Sequence, residues 1–270
     1  MRNLRQALKT GQTVVGTWLN SGSPIMAELL ATAGFDYVCV DLEHSAVDLP
    51  QAQQLFQAIT SGNPDCAPLA RLHGVDYALV KRYLDAGARG VIGPLVNTAE
   101  QAQLLVDAVK YPPEGKRGVG FCRANQYGLR LEDEVARAND ELLVALQIEH
   151  IDAVRNIDAI LSVPGVDAVF VGPYDLTASM GITAQFQHPD YLKARDSVLK
   201  ACQRHKTAAG IHVVEPNPME LSRRVAEGYR FLAYSLDITI LLRAAQQGMA
   251  HFAGEFRKPK SKSSHRKPKR

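Results

Sequence analysis

Polar and ionisable side chains recur where the predicted β-strands of this 270-residue chain end. The second predicted strand runs into Asp41-Leu-Glu-His44, and the third ends at Arg71. The fifth carries Gln147 and Glu149 at alternate positions, so both side chains point to the same side of the strand. Further polar residues end the last three predicted strands: Gly172-Pro-Tyr-Asp175, His212, Ser235 and Asp237. This ring of polar groups around an otherwise aliphatic sheet indicates a functional site.

The carboxylates of Glu149 and Asp175 come from neighbouring strands and bring no thiolate or clustered imidazole with them. Hard oxygen ligands of this kind suit Mg²⁺ or Mn²⁺, whereas tetrahedral zinc prefers histidine and cysteine. Read singly, each residue could equally form an ion pair or cap a helix. Their joint placement favours a divalent-metal site.

Two other side chains match proton transfer and oxyanion binding. His44 is a candidate acid or base because imidazole titrates near neutral pH, and it could equally be a structural hydrogen-bonding residue. Asp85, at the end of a predicted helix, is a candidate to orient it. The planar guanidinium of Arg71 matches a carboxylate or an enolate oxygen, the alternative being an ion pair with Asp41 or Glu43.

No predicted strand carries a lysine. Enzymes that activate a carbonyl group through a Schiff base need a lysine in the site, so that chemistry is not expected here. A metal ion acting as a Lewis acid is the predicted alternative.

The elements that must hold these residues alternate regularly between strand and helix, with a pause over the Gly-, Pro- and Arg-rich segment 111–129. The predicted strands are Thr13–Leu19, Tyr37–Leu42, Ala67–Leu72, Gly90–Val96, Leu143–Ile148, Ala168–Val171, Ala208–Val213 and Phe231–Tyr234. Each is followed by a predicted helix, among them Ile151–Leu161 and Ile238–Phe252. Eight such units in about 250 residues predict a (β/α)₈ barrel, with its chemistry at the C-terminal ends of the strands. The rival, an open doubly wound sheet, requires a glycine-rich phosphate turn after strand one, to which Asn20-Ser-Gly-Ser-Pro is only weakly similar.

The composition, 46% hydrophobic, is sufficient for one large core. The cysteines at 39, 66, 122 and 202 form no C-x-x-C pair, so reduced thiols are expected. No apolar run approaches the roughly 18 residues of a membrane helix. The segment Met1–Gly11 reads as a short amphipathic helix without the apolar stretch of a signal peptide. These features predict a soluble cytoplasmic protein.

The charge is distributed unevenly along the chain. Residues 257–270 contain eight Lys or Arg and no acid; since the whole chain carries +3, the preceding residues carry −5. We therefore predict a barrel domain over residues 1–256 and a disordered basic tail over residues 257–270. The tail could be attracted to anionic surfaces, but an acidic body predicts no specific nucleic-acid partner.

Six motifs resemble, in order and spacing, those of the HpcH/HpaI aldolase family over about residues 4–250: Asp41-x-Glu-His44, Ala70-Arg71, Leu84-Asp85-Ala-Gly87, Tyr111-Pro-Pro-x-Gly-x-Arg-Gly-Val-Gly120, Gln147-Ile-Glu149 and Val171-Gly-Pro-x-Asp-Leu176. These are class II pyruvate aldolases, which include 4-hydroxy-2-oxoheptane-1,7-dioate aldolase and 2-dehydro-3-deoxyglucarate aldolase. The resemblance implies a metal-dependent barrel enzyme that cleaves or forms 4-hydroxy-2-oxo acids. Pyruvate and a small aldehyde are the implied partners, joined through a metal-stabilised pyruvate enolate.

Carried over by position, the resemblance implies a metal and pyruvate site. Glu149 and Asp175 would bind Mg²⁺ or Mn²⁺, with Co²⁺ as a further option. Gln147, Gly172 and Pro173 would hold the pyruvate part of the substrate.

The resemblance also implies the groups that act around that centre. Arg71 would stabilise the enolate oxygen, and His44, oriented by Asp85, would be the acid–base group. The expected supporting residues are Asp41, Glu43 near a water on the metal, and Arg123 in a loop that approaches the site.

Two positions depart from the family pattern on the aldehyde side. Tyr174 stands where some relatives have a small residue, and His212 where several have an aliphatic one. We predict that His212 donates a hydrogen bond to the aldehyde, the alternative being a bond to a neighbouring loop. Trp18 is either a wall of the pocket or a filling of the barrel. The family's usual assembly implies a homohexamer, a trimer of dimers, in which the C-terminal helix is exchanged between subunits.

Two other functions compete with this one. The first is a related enolate-forming lyase of the citrate-lyase-β, macrophomate-synthase or oxaloacetate-decarboxylase kind. A coenzyme A thioester would require a basic pocket for its phosphates, which the sequence before the tail does not indicate. The second is a non-catalytic, metal-binding scaffold that associates with nucleic acid through the tail. The joint presence of His44, Arg71, Glu149 and Asp175 favours catalysis.

Overall fold

Eight parallel strands form a closed barrel in which each strand pairs with its neighbours in chain order and β8 pairs with β1. The structure, a computed structural model, describes residues 2–256. The strands are β1 (Val14–Leu19), β2 (Tyr37–Asp41), β3 (Ala67–Arg71), β4 (Gly90–Gly93), β5 (Leu143–Ile148), β6 (Ala168–Val171), β7 (Ala208–Val213) and β8 (Phe231–Leu236). The predicted (β/α)₈ barrel is confirmed, and the predicted tail lies outside the described residues.

Helices surround the barrel and connect its strands. Their bounds are α1 (Leu4–Lys9), α2 (Pro24–Thr32), α3 (Leu49–Gly62), α4 (Tyr77–Ala86), α5 (Ala99–Val109), α6 (Leu131–Glu141), α7 (Ile151–Arg155), α8 (Ile157–Leu161), α9 (Pro173–Ser179), α10 (Pro189–His205), α11 (Pro218–Glu227) and α12 (Asp237–Phe256), with a 3₁₀ segment at Arg123–Gly128. Short polar side chains cap many of them. Thr98, for example, accepts from the amide of Gln101, whose side chain accepts in return from the Thr98 amide.

Several elements differ from their predicted bounds, of which β4, β8 and the predicted helix Ile151–Leu161 are three. β4 ends at Gly93 because Pro94 has no amide hydrogen and Leu95 has a φ of +50°. β8 continues through Ser235, whose φ is +53°, and its register with β1 shifts between Gly16 and Trp18. The predicted helix Ile151–Leu161 is divided at Asn156 into α7 and α8.

The core has two layers, as expected for a barrel. The interior combines aliphatic side chains with four aromatic rings, and Tyr37 packs so tightly under Gly16 that a Cβ atom at residue 16 would stand 2.4 Å from its ring. Leu4 and Leu8 of α1 belong to this interior cluster and close the N-terminal end. The second layer lies between the strands and the helices.

The last helix is poorly covered by its own barrel. Residues 241–252 of α12 are all exposed, and they include Leu241, Leu242, Met249 and Phe252. These side chains give α12 an exposed apolar surface. No helix in the described part of the chain is long and apolar enough to cross a membrane.

Candidate active site

A cavity of about 370 Å³ opens at the C-terminal ends of the strands. It contains most of the predicted site residues: Trp18, Asp41, His44, Arg71, Gln147, Glu149, Gly172, Pro173, Asp175 and His212. The barrel thus collects side chains that are up to about 190 positions apart in sequence, because parallel strands end at the same rim.

Asp41 and Arg71 form the polar centre of one side of this cavity. They are register partners at the ends of β2 and β3, and Arg71 donates from Nε to Oδ1 of Asp41 over 2.8 Å and from Nη2 to Oδ2. The amides of Glu43 and His44 also donate to Oδ1. Burial raises the pKa of Asp41, but the bonds and charge of Arg71 outweigh it and hold the pKa below its usual range. The ion pair predicted as the alternative role of Arg71 is therefore present.

Aromatic rings hold the other side of the Arg71 side chain. Its guanidinium carbon lies 4.1 Å from the ring centroid of Trp18, which also stacks on His212 at 4.7 Å. Trp18 is buried and lies 5.9 Å from the ring of Phe170 below it. Trp18 is thus at once a wall of the cavity and part of the barrel filling.

Glu149 is a buried carboxylate on the opposite side, at 3% exposure. Its oxygens accept from the Leu95 amide over 2.7 Å and from Nε2 of Gln147 over 2.6 Å. Burial raises the pKa of Glu149 to about 7; the Leu95 amide opposes this shift, whereas the charges of Glu43 and Asp175 add to it. Burial likewise raises the pKa of Glu43. Glu149 and Glu43 therefore share a region in which burial makes ionisation costly.

A divalent cation fits this set of groups. Oε1 of Gln147 and Oε2 of Glu43 are buried without a hydrogen-bond donor, although Oε2 of Glu43 lies 3.1 Å from Nη1 of Arg71. Glu149 accepts only from neutral donors, so its charge has no bonded counter-ion. Within residues 2–256, no three His, Cys, Asp or Glu side chains are arranged as a ligand set. The chain would therefore supply Glu149 and Asp175, leaving the other positions to substrate and water.

His44 and Asp85 are not brought together within one chain. His44 is exposed at the cavity, whereas Asp85 lies near the C-terminal end of α4 and accepts from Nη2 of Arg117 over 2.7 Å. Arg123 lies in the same outer region, where it donates to the carbonyl oxygen of Ala86. Neither Asp85 nor Arg123 lines the cavity.

The structure adds two groups that the sequence did not single out. Asn20, the first residue after β1, donates from its side-chain Nδ2 to Oδ2 of Asp41 over 2.6 Å. Its backbone amide donates to Asp237. Its position at a strand end was a usable signal. The Leu95 amide reaches Glu149 because the backbone at Leu95 has a positive φ. A leucine in the sequence does not predict that conformation.

No lysine lines the cavity among the described residues. Lys110 is fully buried, and burial lowers its pKa to about 8. Its ammonium group donates to the carbonyls of Asn139 and Leu142, which precede β5 at the opposite end of the barrel. The eight barrel strands contain no lysine.

Comparison with known proteins gives a consistent result. The family model of the HpcH/HpaI aldolase/citrate lyase family matches residues 14–244. The chain is 37% identical over 263 residues to a 2-keto-3-deoxy-L-rhamnonate aldolase of Klebsiella pneumoniae subsp. pneumoniae, with 97% of each chain covered. It is 38% identical to a 4-hydroxy-2-oxo-heptane-1,7-dioate aldolase of the same organism, over 92% of each chain.

Solved structures agree with these sequence comparisons. An HpcH/HpaI aldolase/citrate lyase family protein from Burkholderia cenocepacia J2315 superposes with a TM-score of 0.88 at 35% identity, covering 93% of this chain and 99% of that one. The sequence relatives are named aldolases, which are carbon–carbon lyases, so the predicted enzyme class is confirmed. The chain belongs to the HpcH/HpaI aldolase/citrate lyase family, as its motifs predicted.

Proposed function

We propose that the chain is a divalent-metal-dependent aldolase that cleaves 4-hydroxy-2-oxo acids to pyruvate and a small aldehyde, and that also catalyses the reverse condensation. The observation that carries the proposal is the buried Glu149 carboxylate, which shares a cavity with Asp175 and has no bonded cation. Mg²⁺, Mn²⁺ or Co²⁺ would neutralise this charge. When bound, the cation would act as a Lewis acid on the 2-oxo group of the substrate.

The chain's own residues would divide the remaining work. In cleavage, the 4-hydroxyl loses its proton, the C3–C4 bond breaks to release the aldehyde, and C3 then gains a proton to become the methyl group of pyruvate. His44 would take and return protons at the exposed side of the cavity. Arg71 would place its fixed positive charge beside the developing enolate oxygen, since Asp41 and Trp18 hold the guanidinium in place.

We propose that Asp85 orients His44 between subunits. The two residues are separated within one chain, and the Asp85 side chain is 26% exposed on the outer surface, where a second copy could bring its His44. The exposed apolar side chains of α12 support a homo-oligomer, and the family resemblance suggests a homohexamer with this helix exchanged. A cytoplasmic location fits the free thiols of Cys39, Cys66, Cys122 and Cys202.

The charges of the cavity favour small free acids over coenzyme A thioesters. Arg71 is the only Lys or Arg among its described lining residues, and it is already bound to Asp41. We expect oxaloacetate decarboxylation as a side activity because loss of CO₂ from oxaloacetate gives the same pyruvate enolate. A non-catalytic scaffold would have no use for Arg71, His44 and two carboxylates in one cavity.

Pyruvate release tests the proposal. The chain is incubated with a series of 4-hydroxy-2-oxo acids before and after removal of metal with EDTA, and then with Mg²⁺, Mn²⁺ or Co²⁺ restored. We expect release to stop on chelation and return with at least one of these ions. Equal release in the chelated protein would contradict metal dependence, and release from oxaloacetate alone would favour the decarboxylase.

A further inference from the structure

The end of β8 carries a backbone distortion beneath the cavity. Ser235 is fully buried and has a φ of +53°, a conformation that residues other than glycine rarely adopt. Such conformations persist where the surrounding structure holds them, and they cluster at functional sites. Here Ser235 Oγ donates to the carbonyl of Val214, and the carbonyl oxygen of Ser235 lies 2.9 Å from Nε2 of His212.

This contact fixes the hydrogen on the His212 ring. A carbonyl oxygen can only accept, so Nε2 must carry the hydrogen, and Nδ1 of the neutral ring is then left as an acceptor. In residues 2–256, no side chain or amide donates to Nδ1. Burial lowers the pKa of His212 to about 4, although the bond to Ser235 opposes the shift, so the ring is neutral near pH 7. His212 therefore offers an acceptor, whereas the sequence predicted a donor.

The ring is also held in place. His212 stacks on Trp18 with the ring centroids 4.7 Å apart and the planes at 30°, and Trp18 in turn carries the guanidinium of Arg71. His212 lines both the active-site cavity and a groove that adjoins it. His212 therefore lies where the active-site cavity joins the groove.

The charges around His212 disfavour an aldehyde that ends in a carboxylate. Arg71 is bound to Asp41 and lies beside Glu43. The cations of the adjoining groove, Arg195, Arg223 and Arg224, all have acidic partners within 3.0 Å, namely Asp196, Glu220 and Glu227. No described cation in either space is therefore left without an acidic partner.

We propose that the aldehyde is a neutral hydroxyaldehyde whose hydroxyl group donates a hydrogen bond to Nδ1 of His212. The proposal rests on the aldolase function proposed above and names the substrate class of the same site. A carboxylate would meet an acceptor where it needs a donor, and an alkyl chain would leave Nδ1 buried without a partner. His212 is in this sense a specificity-determining residue.

Three aldehydes of graded chemistry test the proposal, each condensed with pyruvate by the full-length, metal-loaded protein. Glycolaldehyde has the hydroxyl, propionaldehyde replaces it with a methyl group of similar size, and succinic semialdehyde ends in a carboxylate. We expect kcat/KM for glycolaldehyde to exceed that for either of the others by about tenfold. Equal values, or a preference for succinic semialdehyde, would overturn the proposal. Failure to condense pyruvate with any aldehyde would instead contradict the proposed function.

Two variants of His212 distinguish the effect of its hydrogen-bond acceptor from the effect of the size of its ring. His212→Leu should reduce the glycolaldehyde-to-propionaldehyde ratio about tenfold, whereas His212→Gln, which keeps a donor for Ser235 and an acceptor, should retain part of it. His205→Leu, at the C-terminal end of α10 and away from both spaces, should leave the ratio unchanged. An unaltered glycolaldehyde-to-propionaldehyde ratio in a folded His212→Leu protein would refute the assignment. If that variant does not fold, the comparison of the three aldehydes with the wild-type protein still tests the proposal.

Discussion

Gly172 lies so close to Glu149 that a Cβ atom at residue 172 would stand 2.8 Å from both Cβ and Oε2 of the glutamate. The backbone of Gly172 has no unusual φ, so the glycine is required by space and not by conformation. It is the position at which β6 passes into α9, which carries Asp175.

Gly172→Ala should therefore damage the metal site. The added methyl group must displace the Glu149 carboxylate and also meets the Glu149 Cβ atom, so we expect metal affinity to fall by about tenfold or more and the stability of the fold to fall as well. Gly74→Ala is the matched control, because a Cβ atom there would meet nothing within 4 Å. Isothermal titration with Mn²⁺ measures both variants, and wild-type affinity in Gly172→Ala would show that Glu149 is not a ligand.

Arg71→Lys should not be conservative. Lysine keeps the charge but loses the two bonds to Asp41 and the guanidinium contact with the Trp18 ring. We expect kcat/KM to fall by roughly 10², comparable to the loss of one oxyanion donor. Arg155→Lys, an exposed pair with Asp152 on α7, is the control. Near-wild-type kinetics in Arg71→Lys would mean that the residue is structural.

Metal binding should depend on pH through Glu149. Burial raises the pKa of Glu149 to about 7 from the ordinary 4.5. Between pH 4.5 and pH 7, Glu149 is therefore protonated in the metal-free folded protein and deprotonated in the unfolded chain. The contribution of Glu149 to the free energy of unfolding of the metal-free protein therefore falls as pH rises from 4.5 to 7. The metal requires the deprotonated form, so its apparent affinity should fall about tenfold per pH unit below 7.

Thermal unfolding measures this dependence. The increase in Tm on adding Mn²⁺ should be larger at pH 7.5 than at pH 5.5 in the wild type, and Glu149→Gln should lose most of the increase at both. A Tm increase that is independent of pH in the wild type would argue against Glu149 as a ligand.

Mixed oligomers test whether Asp85 serves His44 of another subunit. His44→Ala and Asp85→Asn should each be nearly inactive alone. Co-assembled in equal amounts at random, they should restore about a quarter of the sites, because a site then needs each intact residue from a different copy. If verified mixed oligomers recover no activity, then either His44 and Asp85 act within one chain or Asp85 takes no part in the mechanism.

The fold could be predicted because its signals are local. Strands of β-branched and aliphatic residues alternate with capped helices, and their C-terminal ends carry the polar groups that line the cavity. The sequence also identified Gln147 and Glu149 as facing the same way, and Nε2 of Gln147 does bond to Glu149.

The remaining features depend on contacts that the sequence does not encode locally. Leu95 and Ser235 have positive φ although neither is glycine, so the Leu95 amide at Glu149 and the Ser235 carbonyl at His212 could not be anticipated. Asp85 looked like a partner for His44, but within one chain it is held by Arg117, 32 residues away. Tertiary contacts between distant residues set the orientation of these side chains.

We propose that a divalent metal held by Glu149 and Asp175 carries catalysis. The most direct measurement titrates Mn²⁺ into metal-stripped protein while pyruvate release from a 4-hydroxy-2-oxo acid is followed. Wild-type activity should rise from near zero and saturate at about one ion per chain, whereas Asp175→Asn should need roughly 10² more Mn²⁺ and reach a far lower rate. Full activity of metal-stripped Asp175→Asn would contradict the claim.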